Sequence, residues 1–242
     1  GTPNALITKP AEIIHHIIEE HSNGAVHADI DISGTFTDTN TNLPASYQFG
    51  FAINNQIGLN DLLAKLAFQA YSRIYYERGL YKLRIYKDTT GSATVINTNT
   101  DSVLVNNQIM VNFSESSLEE IQDPIIMKYF LDYSLGDWES KEAYSKNSKS
   151  TISSFGTREK VYLFFAVNSA TMALDLIGKL SLLRGDVRTI VTFPSYLKHI
   201  DLNIGDEITL TAPGLGETSV TYELLEFEFI PPTQLHLKLV KY

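Results

Sequence analysis

The segment Leu197-Lys-His-Ile-Asp-Leu-Asn-Ile-Gly-Asp-Glu-Ile-Thr-Leu210 carries an apolar alternation into Gly205-Asp206 and out again on the far side. Alternation of period two on both sides of a Gly-Asp pair is the pattern of a β-hairpin corner, not of a catalytic loop. Ahead of it stand a helix-like run from Asn168 to Leu183 and a strand-like run from Val187 to Phe193, and earlier still the Ser-rich segment Ser150 to Lys160.

In this order the elements resemble those of the hub and tail-tip proteins of long-tailed bacteriophages and of related prophage or contractile-injection machines, the baseplate hub-like and tail-tip attachment proteins. The resemblance is carried by Ser150-Thr-Ile-Ser-Ser-Phe-Gly-Thr-Arg-Glu159, a Ser-rich approach to an aromatic-Gly pair followed by charges. It continues through a strand Val161 to Val167, a helix with Ala170 and Ala173, a short Arg-anchored strand Arg184 to Phe193, and the turn Leu202-Asn-Ile-Gly-Asp206. Closing strands follow near Thr218 to Ile230 and Leu235 to Tyr242. A second match is Gln56 to Lys87, a helix beginning near Asn60 and then a strand Leu80 to Tyr86 after a Gly turn, so that roughly two thirds of the chain is covered. The resemblance implies a structural protein of the virion tail, assembled in the bacterial host cytoplasm. It implies a homotrimeric ring that meets tail-tube and tip or fibre proteins, DNA passage without specific binding, and no active site to carry over.

The 242 residues are enough to bury a substantial core, in one large or two small domains, and 43% hydrophobic content fits a globular protein. The longest strongly apolar run, Val161 to Val167, is far below the roughly 20 residues of a membrane-spanning helix, so no membrane span is expected. The N-terminus lacks the charged start, apolar stretch and cleavage site of a secretory signal. Because the first residue is Gly1 and a helix pattern already begins at Lys9, the chain is expected to be a piece of a longer protein. Absence of cysteine removes disulfides, thiolate catalysis and Cys-ligated zinc. A formal charge of -9 opposes nucleic-acid affinity, whose main contribution is neutralisation of phosphates by Lys and Arg.

Lys9 to His21 places Ala11, Ile13, Ile14, Ile17 and Ile18 on one side of a helical period, with Pro10 in the first turn and Asn23-Gly24 as a stop. A sheet is the expected partner of that stripe, because Val26 to Phe36 alternates like a strand. Asp38 to Leu43 reads as a loop and Tyr47 to Ile53 as a strand. Asn60 to Tyr75 reads as a helix capped by Asn60, and Gly79 permits reversal into a strand through Leu83. Asp137 to Ser150 reads as a polar, mobile loop around Trp138 and Tyr144.

His15-His-Ile-Ile-Glu-Glu-His21 has the composition of a zinc-protease helix but not its spacing, since His16 and His21 lie about 140° apart on a helix. His15 and Glu19 at i, i+4 can share an ion, yet two ligands make a poor site and a catalytic zinc wants three. Asp29-Ile-Asp-Ile-Ser-Gly34 begins like a calcium loop, but Asn40 stands where a bidentate Glu is required, and Asp38-Thr-Asn-Thr-Asn42 is looser still. Pro213-Gly-Leu-Gly-Glu217 opens no helix, so a hairpin turn is expected rather than a phosphate cradle. Acidic pairs at Glu19-Glu20 and Glu119-Glu120 have no spatial meaning in sequence. Tyr71, Tyr75, Tyr76 and Tyr81, among 13 tyrosines, suit either an internal seam or a subunit interface.

The expected fold class is α+β, mostly antiparallel β, with helices packed on the sheets and a barrel-like sub-domain over Val161 to Tyr242. The expected division is residues 1–115 and 116–242, with the boundary in 114–124. No catalytic, cofactor-binding or metal residue and no cofactor is assigned. Two other readings stand beside the tail-assembly role: a carbohydrate- or receptor-binding module of the tail tip around Trp138, and a metal-dependent hydrolase in which His27, His199 and His236 converge.

Overall fold

A computed structural model describes residues 7–22, 27–53, 56–86, 94–105, 108–144, 156 and 158–241. In chain order its helices are α1 (Pro10–His21), α2 (Thr37–Asn42), α3 (Leu59–Gln69), α4 (Thr98–Asp101) and α5 (Ala170–Arg184). Its strands are β1 (Ser72–Glu77), β2 (Leu80–Ile85), β3 (Thr94–Asn97), β4 (Leu104–Val105), β5 (Gln108–Ile109), β6 (Asn112–Glu115), β7 (Ile125–Asp132), β8 (Asp137–Tyr144), β9 (Lys160–Phe164), β10 (Thr189–Tyr196), β11 (Glu207–Ala212), β12 (Glu217–Ile230) and β13 (Gln234–Lys241). The class is α+β, as expected.

Two compact units are present, each made of two separate stretches: Gly1–Tyr86 with Gln122–Gly185, and Lys87–Ile121 with Asp186–Tyr242. This differs from a single cut between residues 1–115 and 116–242. The reason is hydrogen bonding across long sequence separations: β3 pairs with β11, and β6 with β10, so residues 94–97 and 112–115 join the C-terminal strands.

In the first unit, α1 starts at Pro10 and buries Ala11, Ile14, Ile17 and Ile18. It ends where Ser22 turns extended and returns its N–H to the Ile18 carbonyl at 3.1 Å. The stripe packs on α2 and α3, not on a sheet, because 26–36 is not a strand among its described residues. Ile30 makes one bridge to Tyr81, and then the Asp31 carboxylate accepts the Thr35 N–H at 3.0 Å and pulls the chain into helical turns. A short acceptor bonding its own backbone offers an alternative to a strand ladder, and here it wins. A Cβ at Gly34 would lie 2.5 Å from Asp31 Oδ1, so a larger residue there would push the carboxylate away from the Thr35 N–H. The segment expected as a loop from Asp38 continues as α2, held by Thr39 Oγ1 donating to the Leu83 carbonyl at 2.9 Å.

Helix α3 starts after Gly58 rather than Asn60 and stops at Gln69, six residues short of the expected Tyr75. Tyr71 takes φ 54, the left-handed conformation that ends helices, and the β-branched and aromatic residues Ile74, Tyr75 and Tyr76 then enter β1. β1 and β2 form a hairpin whose turn residues, Arg78 and Gly79, both have positive φ, with Glu77 opposite Leu80. The Tyr47 to Ile53 stretch is extended and forms an isolated β-bridge, Phe49 to Val167, with the Phe49 N–H also donating to the Thr8 carbonyl at 2.8 Å and the Gly50 N–H to the Ala166 carbonyl at 3.0 Å. A three-stranded sheet has the order β8-β7-β9, with β9 parallel to β7. Ile125, Met127 and Tyr129 of β7 are buried, and α5 packs against β7 and β8. Asp137–Tyr144, expected as a mobile loop, is therefore a paired strand, its polar sequence suiting an edge position. Most of Ser150 to Glu159 lies outside the described residues.

The second unit is a six-stranded sheet in the order β3-β11-β12-β13-β10-β6. Its strands alternate, and Ile96, Val191, Phe193, Ile208, Leu210, Tyr222, Leu224, Leu235, Leu237 and Leu239 form one core to which none of α1, α2, α3 or α5 contributes. The sheet must cover its own apolar face. β12 changes partner from β11 to β13 at Glu223, next to a bulge between Leu224 and Glu226, which bends the sheet. β3 then leads through α4 to Ser102, which bridges Ser195 on β10. β3 and β10 are four strand spacings apart in the order, about 19 Å in a flat sheet, whereas a helical turn of four residues spans about 6 Å. The sheet is therefore curled, with α4 carrying the chain from the edge strand β3 to β10, and no ladder joins β3 to β6 among the described residues.

The expected barrel-like span of Val161 to Tyr242 needs correcting, because β9 and α5 belong to the first unit and β3 and β6 are recruited instead. The Leu197 to Leu210 segment is a corner but not a hairpin, since β10 and β11 are separated by β13 and β12. It is held by Asp206, whose carboxylate accepts the Asn203 N–H at 2.6 Å and whose carbonyl accepts the Leu224 N–H at 2.9 Å. Leu237 is fully buried on β13, and Leu237→Ala is expected to lower stability by about 2–5 kcal/mol. Leu174→Ala, at a position 56% exposed on α5, should change it by no more than about 0.5 kcal/mol, both read from urea denaturation midpoints.

Candidate interaction surface

An apolar groove of about 610 Å³ lies in the first unit, walled by α3, by Ala52, Ile53 and Ile57, and by one face of the β7-β8-β9 sheet. Ile53, Leu62, Leu131, Trp138, Leu163 and Phe165 line it, with Lys65 and Gln69 as its polar members. Gln69 is committed to the fold, its Oε1 accepting the Ala166 N–H at 2.8 Å. Beside the groove runs β9, an edge strand whose Leu163 is 56% exposed and whose Val161 is 41% exposed. In the second unit the edge strands β3 and β6 carry Val95 and Phe113, 67% and 47% exposed. Edge strands with apolar outward residues are templates for pairing with another chain.

Three polar clusters accompany these surfaces. Tyr47 donates to Asp175 Oδ2 at 2.6 Å, while Lys179 donates to the Tyr47 hydroxyl at 3.2 Å and sits 4.9 Å over its ring. Burial, reinforced by the Asp175 charge, pushes the Tyr47 hydroxyl far up, so it stays a donor and acts as a brace rather than a base. On α4 the Asp101 carboxylate accepts from Lys198, from the Asn97 N–H at 2.9 Å and from Thr100 Oγ1 at 2.8 Å. Burial raises the Asp101 carboxyl, but these hydrogen bonds outweigh it and hold the group below the usual carboxylate range. His199 Nε2 lies 3.7 Å from Asp101, and burial lowers this imidazole against the pull of Asp101.

The third cluster is His15, Glu19 and His27, the one group of three imidazole or carboxylate ligand atoms near enough to share an ion among the described residues. The i, i+4 pair His15 and Glu19 was legible in sequence, but His27 was not connected to it. A hydrogen bond to His27 foremost, opposed by burial and aided by the charges of both imidazoles, holds the Glu19 carboxyl low.

Other sequence candidates separate. His27 belongs to the first unit, and His199 and His236 to the second. Asp31 is spent on its own turn, and Asp38 lies on α2. Pro213–Leu215 is a short turn closed by Gly216 at φ 72 between the paired strands β11 and β12, as expected. Glu120 pairs with Arg188. Tyr71 is buried, whereas Tyr76 is 64% exposed and stacks edge-on with Tyr81 at 5.1 Å across the hairpin.

No protein-family model matches the chain, and no curated protein sequence does. Solved structures do match. A chain of the virion of a native gene transfer agent particle superposes with a TM-score of 0.64 at 15% identity over 96% of this chain. The tail protein from Neisseria meningitidis MC58 superposes with a TM-score of 0.53 at 10% identity over 81%. This chain spans 47% and 59% of the length of those two proteins. The chain shares its fold with this virion component and this tail protein, in agreement with the resemblance read from the sequence.

Asp101 offers a direct test of the α4 closure. Its folded pKa is depressed, so its contribution is complete above the unfolded value near 4 and is lost as pH falls through the folded value. Asp101→Asn is expected to cost about 1–3 kcal/mol at neutral pH, with the gap to the parent protein narrowing on acidification below about pH 4 in urea titrations.

Proposed function

We propose that this chain is a structural component of a phage or prophage tail, placed in the hub or tip where the tail tube meets distal tip or fibre parts. The single observation that carries the reading is the fold shared over 96% of the chain with a component of a gene transfer agent virion. The local surfaces support it. Open strand edges bearing Leu163, Val95 and Phe113 are suited to extending sheets between neighbouring subunits, and the apolar groove beside β9 is suited to receiving an apolar side chain from one. The role is architectural rather than catalytic, and the subunits form a ring, most simply a homotrimer.

The net charge of -9 adds a second element to this proposal. An acidic inner surface would let DNA or an injected protein pass without sticking, since like charge withholds the electrostatic part of phosphate binding. An electropositive inner wall in an assembled ring would end that part of the reading.

Sedimentation over a wide concentration range tests the assembly reading. The expected outcome is reversible association toward three times 27.1 kDa, weakened by Leu163→Lys without loss of the fold. A monomer at every concentration would sink the ring. Trp138 lines the groove, so a glycan array with Trp138→Ala as control tests the receptor-binding alternative. Sugar binding lost in that variant would move the assignment there.

A further inference from the structure

We propose that His15, Glu19 and His27 form a binding site for a divalent transition-metal ion of the zinc class, which ties α1 to the segment that begins at His27. The helix supplies two ligands on one face, because residues four apart are neighbours on an α-helix. His15 Nε2 lies 3.1 Å from Glu19 Oε1, and His27 Nδ1 lies 2.5 Å from the same oxygen. All three ligand atoms fall within 4.8 Å of one another. Ligand atoms around a tetrahedral zinc at its usual bond lengths stand roughly 3.3 Å apart, so side-chain torsions alone can bring this trio to a shared ion.

A second observation points to a ligand. His15 Nε2 is shielded from solvent and makes no well-aligned hydrogen bond, its one polar neighbour being Glu19 Oε1 at 3.1 Å, a member of the same trio. A buried imidazole nitrogen whose hydrogen bonding is incomplete is uncommon in folded proteins, and a bound ion would complete it. The ring is fixed from both sides, packing edge-on to Phe36 at 6.2 Å and tilted to His27 at 5.3 Å between centroids. Fixing the ring in advance removes part of the entropy cost of binding.

The donor set selects the ion. Two imidazoles with one carboxylate suit zinc and its first-row neighbours, whereas calcium and magnesium require oxygen ligands. Three protein ligands leave the fourth tetrahedral position open to water, so moderate affinity is expected rather than the tight binding of a four-ligand structural site. The ion would replace the Glu19–His27 hydrogen bond with two metal bonds and engage the idle nitrogen of His15.

The test uses the full 242-residue chain, stripped with a chelator and titrated with zinc chloride by calorimetry, with cobalt(II) absorption as an independent reading of coordination. One ion per chain is expected, together with a rise in melting temperature. His15→Ala and His27→Ala should each weaken binding at least tenfold and abolish the thermal shift. His16→Ala, altering an exposed residue of the same helix, should leave both unchanged. Circular dichroism of each variant separates loss of a ligand from loss of fold. Absence of binding by the parent chain under a large excess of zinc, or equal binding by a His15→Ala/His27→Ala variant, would overturn the site.

Discussion

A six-stranded sheet with one apolar face and no long helix to cover it has to wrap around itself, and much of the second unit follows from that requirement. Wrapping needs bends, and β12 provides one by trading β11 for β13 at Glu223 beside a bulge. It needs distant strands brought near each other, and α4 does so for β3 and β10 in a single turn, with a buried carboxylate at its end. Asp101 is costly to desolvate and is tolerated only because cation, hydroxyl and backbone donors surround it. The same side chain therefore supplies charge satisfaction and geometry. Apolar burial drives the curl, and the polar cluster fixes where the curl closes.

The first unit solves the burial problem in the ordinary way, with α5 on a three-stranded sheet and α1 on α2 and α3. Its polar groups serve as braces: Tyr47, Asp175 and Lys179 join the extended stretch after α2 to α5. What it leaves uncovered is the β9 edge and the groove beside it, and those are the features an assembly protein would use.

Much of this was legible in the sequence because the relevant signals are local. Helices α1 and α5, strand β2 and the closing strands β12 and β13 follow from periodicity that tertiary contacts do not override. The misreadings have identifiable causes. Asp31 bonding Thr35 turned an alternating run into helical turns, and a left-handed Tyr71 ended α3 early. β8 is too polar in sequence to announce itself, and β3 and β6 are four-residue strands whose partners lie far along the chain. The His15–Glu19 pair was visible as a helical spacing, but the approach of His27 depends on the path of the chain after α1, which no periodicity encodes.

The pairing of β3 with β11 joins Thr94 to Ile208, with the second stretch of the first unit lying between them in the sequence. During synthesis the first unit has all its residues once Gly185 has emerged, while β3 must wait until β11 is made. Contacts of such long range are slow to form, because the intervening loop has to close before they return any energy. Translation thus imposes a schedule: the first unit is free to fold on the ribosome, and β3 and β6 stay unpaired until the last quarter of the chain arrives. Strand edges that remain open during that interval are where off-pathway association between nascent copies would begin.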